Sequence, residues 1–233
     1  MMLDDLSIII PVGANETAWA SLLKDLQSLS PAAEVLLVGI ESKPAGFDQF
    51  VARELPCTSR WLQSAPGRAR QLNYGAAHST RAYLWFLHAD SHIDDLALGQ
   101  LRQALQDKPL AIHYFVLAFQ PDGPRATRLN SWGANLRSRW LRLPFGDQGF
   151  CLSKAVFEAL GAFNESVRYG EDHLLVWKAH QKGIHVAPIQ AKIFTSARKY
   201  HTNGWFRTTC VHLWRTVRQA LPQFVRLIVS KPQ

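Results

Sequence analysis

The chain has 233 residues, 47% apolar and 19% charged, enough to bury a real core, and one compact domain is the simplest expectation. No apolar run reaches the roughly 18 to 20 residues of a spanning helix, and Met1 to Asp5 lacks the positive start and apolar stretch of a signal peptide, so a cytoplasmic protein is expected. The net charge of +8 suits an anionic partner, whereas Cys57, Cys151 and Cys210 are too few and too scattered for a disulfide framework or a CxxC zinc site.

In chain order, "LSIIIPV" (Leu6 to Val12) reads as a β-branched strand, followed by a loop at Asn15-Glu16 and an amphipathic helix with Trp19, Leu22, Leu23, Leu26 and Leu29 on one side. "EVLLVGI" (Glu34 to Ile40) is the next strand, a weaker helix lies near Phe47 to Arg53, and a third strand falls around Ser59 to Leu62. Pro66 to Thr80 opens on proline and glycine and then sets Ala69, Leu72 and Ala76 at helical spacing, leading into "AYLWFLHAD". That alternation predicts a parallel sheet covered by helices on both faces. The second half predicts strands at Leu110 to Phe119 and Gly149 to Ser153, helices at Arg125 to Leu141, Lys154 to Leu160 and Glu171 to Gln181, and mixed strand directions.

Ligands of open α/β sheets sit beyond the carboxyl ends of the parallel strands. The first polar residues there are Asn15-Glu16, Gly39 to Ser42, and His88-Ala89-Asp90. Asp90 also has a purely structural reading, as the cap of a helix over "SHIDDLALGQL", and Asp94-Asp95 read as a solvated helix start.

The ordered segments "SIIIPV…NE", "GRARQLNYGA", "WFLHADS", "GDQGFCLSKAVFEALGAFNE" and "GEDHLLVWKAHQKG" resemble the family-2 glycosyltransferases of GT-A fold. The match is nearest to the small bacterial subgroup that has His-Ala-Asp in place of Asp-x-Asp, and it covers roughly Ser7 to Arg207. The resemblance implies an α/β fold of GT-A type: a Rossmann-like mixed sheet, parallel in its N-terminal half, with helices on both faces. It divides the chain into a transferase domain at 1–202 and a basic, Trp-rich helical tail at 203–233.

It further implies an inverting, hexosyltransferase-type enzyme that moves a sugar from a nucleotide diphosphate, UDP before GDP, to an acceptor hydroxyl. Diphosphate oxygens are hard ligands, so Mn²⁺ or Mg²⁺ held by one or two carboxylates and those oxygens is the expected cofactor. Asp90 is the expected metal ligand. His88 takes the place of the first acid and would touch ribose, phosphate or the metal. The Glu171-Asp172 pair would supply the catalytic base, one carboxylate pointing into the cleft and the other anchoring or capping the helix, with Asp172 the one that would take the acceptor's proton; a helix N-terminus favours such carboxylates in unrelated proteins too. Gly146, Asp147 and Gln148 match the acceptor-side loop. Pro11, Glu16, Glu41, Arg68, Arg70, His88, Ala89 and Asp90 form the implied donor site, with Arg70 preferred to Arg68 for the diphosphate or the uracil edge. Asn73 reads as structural. Arg198, Lys199 and His201 fall where the family often closes a basic loop over the phosphates.

Two departures stand out. Where the family usually has an Asp receiving the uracil N–H, this chain reads Gly39-Ile40-Glu41-Ser42, so Glu41 would have to serve from two positions on. Gly13-Ala14 replaces a single apolar residue before Asn15-Glu16.

From Lys192 to Gln233 there is no carboxylate. Trp205, Cys210, Leu213, Trp214, Val217 and Leu221 form a helical stripe that Pro222 is expected to interrupt. Either the stripe packs on the domain, or it lies on anionic lipid at the inner face of the membrane and serves a lipid-linked acceptor. No RNP, KH or helix-turn-helix pattern accompanies the charge, so nucleic acid is not an expected partner. Two other readings remain from the residues: a degenerate GT-A module that binds a nucleotide sugar without turnover, and a peripheral membrane-binding scaffold.

Overall fold

The computed structural model describes residues 2–229; Met1 and positions 230–233, including Lys231 of the basic tail, lie outside the described residues. After a 3-10 turn at Met2–Asp5, strand β1 (Leu6–Val12) is buried at every position except Pro11. A run apolar on both pleat faces requires cover on both sides. Ile8 and Ile10 face one core with Trp19, Leu22 and Leu23 of α1 (Trp19–Asp25) and Phe47 and Val51 of α2 (Phe47–Glu54). Ile9 faces the other core with Ala69, Leu72 and Ala76 of α3 (Arg68–His78).

Strands β2 (Glu34–Gly39), β3 (Thr58–Gln63) and β4 (Tyr83–Phe86) join β1 in the parallel order β3-β2-β1-β4. Their starts are tied by a polar cluster. Buried Glu34 accepts from Ser7 Oγ at 2.6 Å and from the Thr80 N–H, and pairs with Arg60 at 3.2 Å. This fixes register at the end of the sheet away from the strand tips.

The second half completes one eight-stranded mixed sheet, β3-β2-β1-β4-β7-β6-β8-β5. Here β5 is His92–Ile93, β6 Ile112–Phe119, β7 Cys151–Ser153 and β8 Val186–Thr195. Strand β7 is antiparallel to β4 and β6, β6 is parallel to β8, and β5 is antiparallel to β8. The helices are α4 (Ala97–Asp107), α5 (Thr127–Leu141), α6 (Lys154–Ala159), α7 (Glu171–Gln181), α8 (Arg198–Asn203) and α9 (Trp205–Val229).

Two expectations are corrected. Asp90 caps no helix, because β5 intervenes; α4 starts after Leu96 without a side-chain cap, and Asp94 only closes the turn before it, its Oδ1 accepting from the Leu96 N–H at 2.9 Å. Helix α9 runs through Pro222, whose ring lies on its exposed side. Proline there removes one N–H from the helix without intruding on any packed neighbour.

Candidate active site

Beyond β4 the chain leaves the sheet within four residues. The Leu87 N–H still reaches the Ile9 carbonyl at 3.1 Å, Ala89 is buried, and His88 and Asp90 emerge into a cavity of about 950 Å³. Arg68, Asp147, Asp172 and Lys199 line the same cavity. The hydrophobic strand therefore ends where its next polar side chains have an opening to enter.

Asp172 is held from two sides. It sits in the first turn of α7, after Gly170 at φ +72°, a left-handed conformation that suits glycine. Its Oδ2 accepts from the Gly146 N–H at 2.5 Å and its Oδ1 from the His173 N–H at 2.8 Å. A Cβ at Gly146 would stand 2.5 Å from Arg68 Nη2 and 2.9 Å from Asp172 Oδ2, so any side chain there displaces one or both of these groups. Burial pushes the Asp172 carboxyl up, but the Arg68 charge and the two N–H donors outweigh it, and its pKa lies below the usual carboxylate range. Asp172 is thus ionised.

Arg68 joins the pieces. Its Nε lies 3.3 Å from Glu171 Oε1, close enough for ion pairing but without hydrogen-bond alignment, and its Nη2 donates to His88 Nε2. A guanidinium only donates, so His88 must be neutral, with its proton on Nδ1. Burial first, then the Arg68 charge, depress the imidazole pKa to about 3. As arranged, the His88 Nε2 lone pair is engaged and offers nothing to a metal.

Asp147 contrasts with Asp172. It makes no hydrogen bond among the described residues, and burial raises its pKa although Arg137, Arg68 and Lys199 favour the charge. Arg137, on α5, was not singled out from the sequence. Its Nε donates to the Leu143 carbonyl at 2.8 Å, its guanidinium lies 3.6 Å from the Phe145 ring centroid, and its buried Nη2 has no hydrogen-bond partner. Nothing in "LRSRW" distinguishes it from the exposed Arg139 beside it; only the packing of α5 does.

Asp90 is partly buried, with its backbone carbonyl accepting from Gln120 at 3.0 Å. Burial, and the nearby charges of Glu16 and Asp122, raise its carboxyl pKa despite Arg198. Such a carboxylate gains from a cation.

Several expected residues do not line this cavity. Arg70 is exposed and pairs with Glu165 at 3.5 Å. Glu16, near enough for its charge to act on Asp90, accepts from the Ala18 N–H at 2.8 Å in the turn before α1, and exposed Glu41 accepts from the Asn15 N–H at 3.1 Å. Half-buried Pro11 lies within β1, paired with Val38. Gln148 is fully buried and spent on Ser138, Phe145 and Phe115. Asn73 brackets the backbone of Phe163. Arg198 and Lys199 line the cavity, whereas His201 is exposed on α8 outside its lining. At Gly39 the space for a side chain is already taken, since an added Cβ would stand 2.2 Å from the Trp61 ring.

Helix α9 forms part of the wall. Gln219 donates to the carbonyls of Tyr169 and Gly170 at 3.3 and 3.1 Å, and its Oε1 accepts from His173 Nδ1 at 3.1 Å. Trp177 Nε1 donates to His173 Nε2 at 2.9 Å, which leaves the His173 proton on Nδ1, facing Gln219.

No family model matches the chain, and no curated protein matches its sequence. Its fold is similar to the mannosyltransferase PcManGT from Pyrobaculum calidifontis, solved in complex with GDP-Man and Mn²⁺: TM-score 0.69 at 18% identity, covering 97% of this chain and 68% of that one. The chain has the GT-A fold. S. aureus TarS 1–349 gives a TM-score of 0.62 at 16% identity, over 82% of this chain and 60% of that one. The TarS 1–349 complex with UDP-GlcNAc gives 0.61 at the same identity, over 82% and 58%. This GT-A chain thus spans about 60% of the length of the TarS fragment, and the likeness is one of fold.

Proposed function

We propose that this GT-A protein transfers a sugar from a nucleotide diphosphate to an acceptor hydroxyl, in one inverting displacement assisted by Mn²⁺ or Mg²⁺. One observation carries the reading: three carboxylates, Asp90, Asp147 and Asp172, share a single cavity with Arg68, Arg137 and Lys199. That is a site for a polyanion next to a group that accepts a proton. Complexes of the similar structures with GDP-Man and with UDP-GlcNAc support a nucleotide-sugar donor; UDP is the first choice and GDP the second.

Asp172 takes the proton. It is ionised, and each of its oxygens keeps a lone pair beyond the one that its backbone N–H engages. Arg68, Lys199 and the unpartnered Nη2 of Arg137 hold the diphosphate oxygens. Among the described residues no three His, Cys, Asp or Glu side chains cluster to cage an ion. Asp90, joined by diphosphate oxygens and water, fits the way Mg²⁺ and Mn²⁺ are held in phosphate sites. An ion held there would offset the negative charge that builds on the leaving diphosphate.

A second reading, donor binding without turnover, is favoured by Trp61, which fills the space that an acid at Gly39 would need. Thermal stabilisation by UDP- and GDP-sugars with and without Mn²⁺, followed by donor hydrolysis, separates the two. Transfer predicts stabilisation by a donor and slow hydrolysis that Asp90→Ala abolishes, with Asp172→Asn keeping binding and losing turnover. Stabilisation without hydrolysis supports the second reading; no stabilisation by any donor refutes both.

A further inference from the structure

Helices packed on a core turn their apolar side inward. Apart from Ala220 and Leu227, which pack against the core, helix α9 does the reverse. Thr208, Thr209, His212, Thr216 and Gln219 face the domain, whereas Phe206, Leu213, Trp214, Val217, Leu221 and Phe224 face outward, 53% to 73% exposed. The outward residues recur at three-, four- and seven-residue steps, so they form one stripe along the helix. Helix α5 has the same inversion. Asn130, Asn135 and Ser138 face inward and are hydrogen-bonded, while Leu129, Trp132, Leu136 and Trp140 are 42% to 77% exposed.

The two helices are tied together, with Asn130 donating to Thr209 Oγ1 at 2.9 Å and accepting from Trp205 Nε1 at 2.5 Å. Leu129 of one stripe and Leu213 of the other both line the cavity, so the stripes meet at its mouth. Neither helix contains an Asp or Glu. On the helical wheel Arg128 and Arg139 lie along one margin of the α5 stripe, and Arg207 and Arg218 along one margin of the α9 stripe. No helix of the described residues is long and apolar enough to cross a membrane.

We propose that the outward faces of α5 and α9 are one interfacial surface that seats on an anionic lipid bilayer, with the cavity mouth at headgroup level. Tryptophan and leucine enter the acyl boundary, and arginines along the margin meet lipid phosphates, as in helices that lie in the plane of a membrane. The absence of carboxylates selects this occupant over a protein of mixed charge, and the inward polar residues explain why the stripes cannot turn toward the core.

The test is co-sedimentation of the full chain with vesicles of phosphatidylcholine alone or mixed with phosphatidylglycerol, at low and high salt. Binding is expected to be at least about tenfold tighter with phosphatidylglycerol and to weaken with salt. Trp132→Gln/Trp214→Gln and Arg207→Gln/Arg218→Gln are each expected to lose about tenfold, with unchanged thermal midpoints and unchanged response to donor. Should either pair fail to fold, quenching of wild-type tryptophan fluorescence by brominated lipids gives the same reading, and its absence overturns the proposal. So does equal or no binding to the two vesicle types. A dimer in light scattering that Trp132→Gln/Trp214→Gln dissociates also overturns it, by assigning the face to a second copy.

Discussion

The Gly146 N–H donates to Asp172 Oδ2 across a gap where an added methyl group would stand 2.5 Å from Arg68 Nη2 and 2.9 Å from Asp172 Oδ2. Gly146→Ala therefore pushes on Arg68 Nη2 and Asp172 together. The expected result is a fall in turnover of about a hundredfold, the scale of an ångström-sized misplacement, with little change in donor-induced thermal shift. Turnover equal to wild type would show that Asp172 is not positioned by this contact.

Arg68→Gln removes the largest influence that lowers the Asp172 pKa, while burial continues to raise it. In the wild type the depressed carboxyl stabilises the fold above its unfolded pKa, and that contribution disappears as pH falls through the folded value. In the variant the folded pKa rises, so the acid limb of the turnover profile moves to higher pH. Turnover at neutral pH falls about a hundredfold through loss of a donor to the diphosphate. A pH–rate profile checks both, and an unmoved limb would detach Arg68 from Asp172.

His88 titrates at about 3 and carries its proton on Nδ1. Nitrogen-detected NMR is expected to show one neutral tautomer from pH 5 to 8, before and after Mn²⁺ is added. The sign for stability follows. The unfolded imidazole protonates first, near 6.5, so this group lowers stability as pH falls from there toward 3. Protonation of folded His88 above pH 5 would break the Arg68 assignment.

Gly39→Ala drives a methyl into the Trp61 ring, an overpacking that is expected to cost about 1–3 kcal/mol in urea unfolding. In a Trp61→Ala background the same change is expected to cost less than half as much. Additive losses would mean that Trp61 is not what fills the position.

The parallel half of the sheet was legible because Ile8, Ile9 and Ile10 alternate between two helix-covered cores, and fully apolar strands have few other homes. His88 and Asp90 were legible as the polar end of such a strand. The choice between Arg68 and Arg70 was not. Residues two apart on a helix point to nearly opposite sides, and which side meets the cavity is set by how Ala69 and Leu72 pack. Arg137 left no signal at all, since its burial depends on α5 lying over Phe145. The expected break at Pro222 did not occur: α9 continues to Val229 with one backbone hydrogen bond fewer, so a single local penalty does not end a helix of 25 residues.

Gln219 gives the last helix a second consequence, for anyone shortening the chain. A protein cut before Trp205 would strip the Tyr169 and Gly170 carbonyls and His173 Nδ1 of their shared partner, all within three residues of Asp172. Such a fragment is expected to fold around its intact sheet and yet turn over poorly. A trimmed, well-behaved sample would thus be a misleading guide to what the full chain does.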